Sequence, residues 1–192
     1  MSQDITNVLL VGVGGQGILL ASEILSEAAM LAGFDVKKSE IHGMSQRGGS
    51  VVSHVRYGRE VFSPIVPEGE GDILFGFELM ETCRSLPLIK PGGTIVANDL
   101  QISPPSVLMG NETYPADLAL KIQDHFPDFK LLDGQKLARE AGNVRAANTV
   151  LLGAISRRLA IAEEFWMRAL EKMVPSKALD VNKAAFAMGR EQ

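Results

Sequence analysis

A chain of 192 residues, 46% of them hydrophobic, can bury a sizeable core and is too apolar to be disordered. Its net charge of -4 provides no field that would draw nucleic acid, and its basic residues are scattered apart from pairs such as Lys37-Lys38 and Arg157-Arg158. The single cysteine, Cys83, can form no internal disulfide and cannot by itself ligate an iron–sulfur cluster or a structural zinc. A cytoplasmic chain is therefore expected. The N-terminus has no basic region ahead of its apolar run, and no apolar stretch reaches the length of a membrane span.

In chain order, Asn7 to Gly12 reads NVLLVG, an apolar run that stops at glycine and predicts a buried parallel strand. The following GQGILLASEILSEAAMLAG predicts a helix closed by Gly33, with Ser22, Glu23, Ser26 and Glu27 on one stripe. FDVKKSE predicts a second strand, which completes a right-handed βαβ unit. SVVSHVRYG and REVFSPIV read as a hairpin turning at Tyr57-Gly58-Arg59. DILFGF is a further strand, ELMETCRSLPLI is helical, and KPGGTIVAND is a turn and a strand. LQISPPSVLMGNETYP is irregular, ADLALKIQDHF is a helix, FKLLD is a strand and GQKLAREAG is a short helix. From about residue 145 the chain is helical, with breaks near Ile161 and Pro175. The expected fold is one domain over residues 1–192. It is a three-layer α/β/α Rossmann-like domain with a mixed, mostly parallel sheet, a β-hairpin insertion and a helical C-terminal part.

Two loops carry candidate chemistry. GVGGQG places Gly12, Gly14 and Gly17 in a G-x-G-x-x-G pattern, with Gly15 and Gln16 between, after a strand and at the start of a helix. Glycines there permit a tight turn, let backbone approach a phosphate and leave N–H groups bare at a helix N-terminus. Three readings stay open: NAD(P), another phosphate, nucleotide or CoA-like group, or packing alone. A dinucleotide site also needs an acidic residue at the end of the second strand, and here Lys37-Lys38-Ser39 precede a late Glu40.

The second loop, IHGMSQRGGS, gathers His42, Gly43, Gln46, Arg47, Gly48 and Gly49 after Glu40. Arginine beside glycines suits a carboxylate or phosphate, an interface with another chain, or a loop that satisfies its own backbone. Both loops leave the sheet at its carboxyl edge and should be neighbours. No G-x-S-x-G elbow, Walker motif or metal-ligand spacing among His42, His54 and His125 is present, and Cys83 reads as a small buried hydrophobe. The catalytic residues stay unassigned. A lone Rossmann oxidoreductase taking NAD(P) or flavin, and a regulatory or scaffold module, remain rival readings.

The two loops together, GVGGQGILLAS at Gly12–Ser22 and VKKSEIHGMSQRGGSVVSHVRYG at Val36–Gly58, resemble the gamma domain of 2-oxoacid:ferredoxin oxidoreductases, with the small (beta) subunit of the indolepyruvate type most similar. SPIVPEGEGDILFGFE, NTVLLGA and NKAAFAMG add to the likeness, which covers nearly the whole chain. The resemblance implies a complex that decarboxylates a 2-oxoacid on thiamine diphosphate, passes electrons through iron–sulfur clusters to ferredoxin and uses CoA as co-substrate. It places the thiamine and clusters on a large partner subunit and no cofactor on this chain. The net charge and the lack of a membrane-length apolar stretch lead to no nucleic acid or membrane partner being expected, and a lone subunit is expected to associate with itself through the face meant for its partner.

Overall fold

The computed structural model describes residues 5–43 and 49–192. The N-terminal apolar run forms β1, Thr6–Val13, buried from Asn7 onward. Helices cover it on both faces, which is why it is apolar without alternation. Five further strands follow: β2 (Asp35–His42), β3 (Ser50–Gly58), β4 (Gly71–Gly76), β5 (Ile89–Asn98) and β6 (Phe129–Leu132). The sheet order is β2-β3-β1-β4-β5-β6. Strands β1, β4, β5 and β6 are parallel, while β3 runs antiparallel between β1 and β2. The mixed, mostly parallel sheet expected from the sequence is present.

The hairpin lies elsewhere than expected. Residues 59–66 form no strand, because both edges of β3 are already paired, with β1 and with β2. The hairpin is β2–β3, in register from Asp35↔Gly58 to His42↔Val51. Residues 59–66 instead form a strap tied by side chains. Val61 N–H donates to the Asp35 carboxylate at 2.8 Å, the Arg56 guanidinium donates to the Ser63 and Ile65 carbonyls at 2.9 and 3.2 Å, and Val66 N–H donates to His54 Nδ1 at 3.1 Å.

One face of the sheet buries Val8, Leu10, Val55, Ile73 and Phe75 beneath α1 (Ile18–Leu31), α6 (Ala147–Ser156), α7 (Glu163–Met173) and α8 (Ser176–Arg190). The other buries Leu9, Val11, Leu74 and Ile95 beneath α2 (Leu79–Arg84) and α4 (Leu118–His125). A single turn, α3 (Pro105–Leu108), and α5 (Gly134–Glu140) complete the chain. The three layers and helical C-terminal part follow the sequence expectation.

The polar stripe of α1 is largely buried: Ser22, Ser26 and Glu27 are all under cover. Ser22 and Ser26 donate to their own helix carbonyls at 2.8 and 2.7 Å, and the Glu27 carboxylate meets Lys172 of α7 at 2.8 Å. Satisfied polar groups of this kind can be covered without an unpaired-donor penalty.

Helices α6 and α8 cross backbone to backbone. A Cβ at Gly189 would lie 1.9 Å from the Val150 carbonyl oxygen, and one at Gly153 would lie 2.1 Å from that of Phe186. Alanine is favoured over glycine by about 1 kcal/mol inside a helix, so any loss isolates the steric cost. Gly189→Ala should destabilise the protein by about 2 kcal/mol or more, read as a fall of several degrees in Tm. An unchanged Tm would mean that the two helices can part freely.

Candidate functional site

Gly12, Gly15 and Gly17 of the first loop each have a local reason. Gln16 folds its side chain back into the turn: Oε1 accepts from Val13 N–H at 2.6 Å and Nε2 donates to the Phe77 carbonyl at 3.0 Å. A Cβ on Gly12 would sit 2.5 Å from that Oε1 and 2.7 Å from Phe77 Cβ, so Gly12 makes room for the plug. Gly15 and Gly17 hold positive φ, 101° and 80°, which an L side chain rarely adopts. Gly14 N–H donates to the Gly49 carbonyl at 2.9 Å. The two loops are therefore joined, as their common sheet edge requires.

Beside them, at the carboxyl ends of β1, β4 and β5, lies a cavity of about 400 Å³. Its walls include Gly15, Gly17, Phe77, Ile102, Arg145 and Asn148. In parallel α/β sheets this edge is where ligands collect. Helix α1 begins here with Gly17 as its N-cap, and no side chain caps it. Gly17 and Leu20 line the cavity, so the first turn of α1, with its uncapped N–H groups and the positive end of its dipole, borders it. The exposed guanidinium of Arg145 adds a fixed positive charge suited to planar anions.

Two buried amides brace the walls. Asn98 Nδ2 donates to the Phe77 carbonyl at 3.2 Å, and its Oδ1 accepts from Gly134 N–H at 3.0 Å. Asn148 Nδ2 donates to the Gly17 carbonyl at 3.4 Å and its Oδ1 accepts from Thr149 N–H at 2.9 Å. Thr149 Oγ1 in turn donates to Asn182 Oδ1 of α8 at 2.6 Å, which links the C-terminal helix to the glycine turn.

Ahead of the second loop, the Glu40 carboxylate on β2 pairs with Lys38 Nζ at 2.8 Å and lies 3.4 Å from Ser22 Oγ and 3.7 Å from His42 Nε2. Strand β3 separates β2 from β1, so Glu40 stands two strand spacings, roughly 10 Å, from the strand that carries the glycine turn. A ribose-binding carboxylate needs the adjacent strand. His42 is exposed and Gly43 N–H closes the hairpin onto the Ser50 carbonyl at 3.0 Å. Ser50 Oγ donates to the buried Glu81 carboxylate at 2.5 Å. Gln46, Arg47 and Gly48 lie outside the described residues.

Burial raises the Cys83 thiol above its ordinary range and so disfavours the thiolate. Among the described residues no group of three or more His, Cys, Asp or Glu could hold a metal, and no helix is long and apolar enough to cross a membrane.

The family model described as pyruvate ferredoxin/flavodoxin oxidoreductase matches residues 7–192. The chain belongs to this family. It is 43% identical over 188 residues to the indolepyruvate oxidoreductase subunit IorB of Thermococcus kodakarensis, covering 95% of this chain and 93% of that one. The corresponding subunit of Archaeoglobus fulgidus is 36% identical over 190 residues, covering 97% and 94%. Among solved structures, the gamma subunit of a keto/oxoacid ferredoxin oxidoreductase from Geobacter sulfurreducens superposes with a TM-score of 0.70 at 25% identity, covering 97% of this chain and 96% of that one. The 2-oxoglutarate:ferredoxin oxidoreductase of Magnetococcus marinus, with 2-oxoglutarate, coenzyme A and succinyl-CoA bound, shares the fold with a TM-score of 0.74 at 20% identity. That match spans all of this chain but 31% of the larger one.

Sequence reasoning did not select Phe77, Asn98, Ile102, Arg145 or Asn148 for the site. Asn148 carried a faint signal, as a polar residue opening the otherwise apolar helix NTVLLGA. The others come from distant segments whose meeting depends on the fold.

Titration offers a check on the hairpin that presents the second loop. His54 is buried in β3, where its Nδ1 accepts from Val66 N–H and must be unprotonated; burial lowers its pKa below 6.5. A histidine held neutral in the fold binds its proton first in the unfolded chain. Stability from this group is full above pH 6.5 and is lost as pH falls from there to the depressed folded value. Urea unfolding followed from about pH 7.5 to 5.5 should show this loss, and His54→Gln should flatten it. An identical pH slope in the variant would remove His54 from that role.

Proposed function

We propose that this chain is the non-cofactor-bearing subunit of a cytoplasmic 2-oxoacid:ferredoxin oxidoreductase of the indolepyruvate type. The complex would convert an arylpyruvate and CoA into acyl-CoA and CO2, with electrons passed to ferredoxin. Loss of CO2 from a 2-oxoacid needs an electron sink, and onward transfer needs redox centres. A single cysteine cannot build a cluster, so thiamine diphosphate and the iron–sulfur clusters belong to the large partner subunit in this reading.

The observation that carries the proposal is the cavity at the carboxyl edge. It offers uncapped helix N–H groups and the Arg145 guanidinium, with no nucleophile among the described residues of its walls. That equipment suits holding the phosphate-bearing part of CoA rather than doing chemistry on it. At about 400 Å³ the cavity would receive one end of CoA and leave the thiol arm to reach a partner's active site. The second loop would meet the large subunit, with the His42, Gln46 and Arg47 side chains supplying donors to it.

Reconstitution tests this. The large subunit alone should fail to reduce a viologen dye with indolepyruvate and CoA, and adding this chain should restore the rate. In the complex, Arg145→Ala should raise KM for CoA by about tenfold or more, the worth of a charge-assisted contact, while KM for indolepyruvate holds. Full activity of the large subunit without this chain would sink the proposal.

A further inference from the structure

We propose that Glu78 is a positioning residue for the CoA cavity, setting one wall through Ile102 N–H and the Tyr114 hydroxyl; this rests on the reading that the cavity receives CoA. Glu78 lies two residues past the end of β4 and is completely buried. A buried carboxylate demands donors, and it has three. Oε2 accepts from Glu81 N–H at 2.9 Å, which caps α2. Oε1 accepts from Ile102 N–H at 3.1 Å and from the Tyr114 hydroxyl at 2.5 Å. Capping α2 would occupy only one of the two oxygens. The other is given wholly to the irregular segment between Asn98 and Asp117.

That segment has little structure of its own, with one helical turn at Pro105–Leu108. It needs outside fixing, and its fixed points converge beside the site. Leu79 N–H donates to the Leu100 carbonyl at 3.0 Å, one residue along from Glu78. Leu100 and Ile102 are both walls of the cavity, facing the glycine turn. One residue before Glu78, the Phe77 carbonyl holds Gln16 of that turn. The pair Phe77-Glu78 thus anchors opposite walls from one stretch of chain. Tyr114 itself does not line the cavity, and its hydroxyl reaches the wall through Glu78.

Tyr114→Phe deletes one bond and little volume. Glu78→Gln keeps the shape but turns an N–H pair toward groups that are themselves donors. In the reconstituted complex, each variant should raise KM for CoA by about three- to tenfold, while kcat at saturating CoA and KM for indolepyruvate stay close to wild type; Tyr114→Phe should do so with little change in the Tm of the chain, whereas Glu78→Gln should also lower it. Arg145→Ala runs alongside as the direct test of the cavity. If Arg145→Ala raises KM for CoA and neither Tyr114→Phe nor Glu78→Gln does, the positioning role is overturned and the CoA reading survives. If none of the three moves it, both fall together. A parallel drop in Tm and in kcat with unchanged KM for CoA would show Glu78 to be a structural cap and overturn the inference.

Discussion

The carbonyl oxygen of Phe77 accepts two amide protons, from Gln16 at 3.0 Å and from Asn98 at 3.2 Å. One atom at the end of β4 therefore fixes the turn after β1 and the end of β5. The Asn98 bond is buried and the Gln16 bond partly so, and an unmet buried amide costs about 1–3 kcal/mol. Phe77 N–H also donates to the Val11 carbonyl at 2.8 Å, which extends the β1–β4 ladder to the edge. The carboxyl ends of three parallel strands are thus braced by two side-chain amides that share one backbone carbonyl. A cavity bounded by such groups can keep its shape while empty, which lowers the ordering cost of binding.

The surrounding architecture serves that edge. Asn182 on α8 reaches Thr149, which neighbours Asn148 at the glycine turn, so the C-terminal helices brace the cavity from the far side. The glycine contacts at Gly153 and Gly189 let α6 and α8 approach closely enough for this to happen. On the other flank, β3 inserts between β1 and β2 and moves the second strand outward. That insertion removes the acidic partner a dinucleotide ribose would need. In exchange it carries a long hairpin whose tip joins the glycine turn through Gly14 and Gly49.

Much of the fold was legible because it is locally encoded. NVLLVG followed by glycine and a long apolar helix signals β1–α1, and the helix breaks near Ile161 and Pro175 match the starts of α7 and α8. The misplaced hairpin shows where local reading stops. REVFSPIV is apolar and follows a glycine, but Pro64 lies within it, and proline disfavours a ladder strand. Which strand β3 pairs with is decided by distant partners. The glycine turn announced itself through G-x-G-x-x-G, yet Phe77, Asn98, Arg145 and Asn148 gave almost no signal. Their importance comes from converging on one edge from segments far apart in the chain.

The most direct measurement is hydrogen–deuterium exchange on the reconstituted complex with and without CoA. If the braced edge is the CoA site, added CoA should slow exchange at residues 13–20, 98–102 and 144–149 of this chain together. Protection confined to the large subunit, with these three segments unchanged, would contradict the assignment.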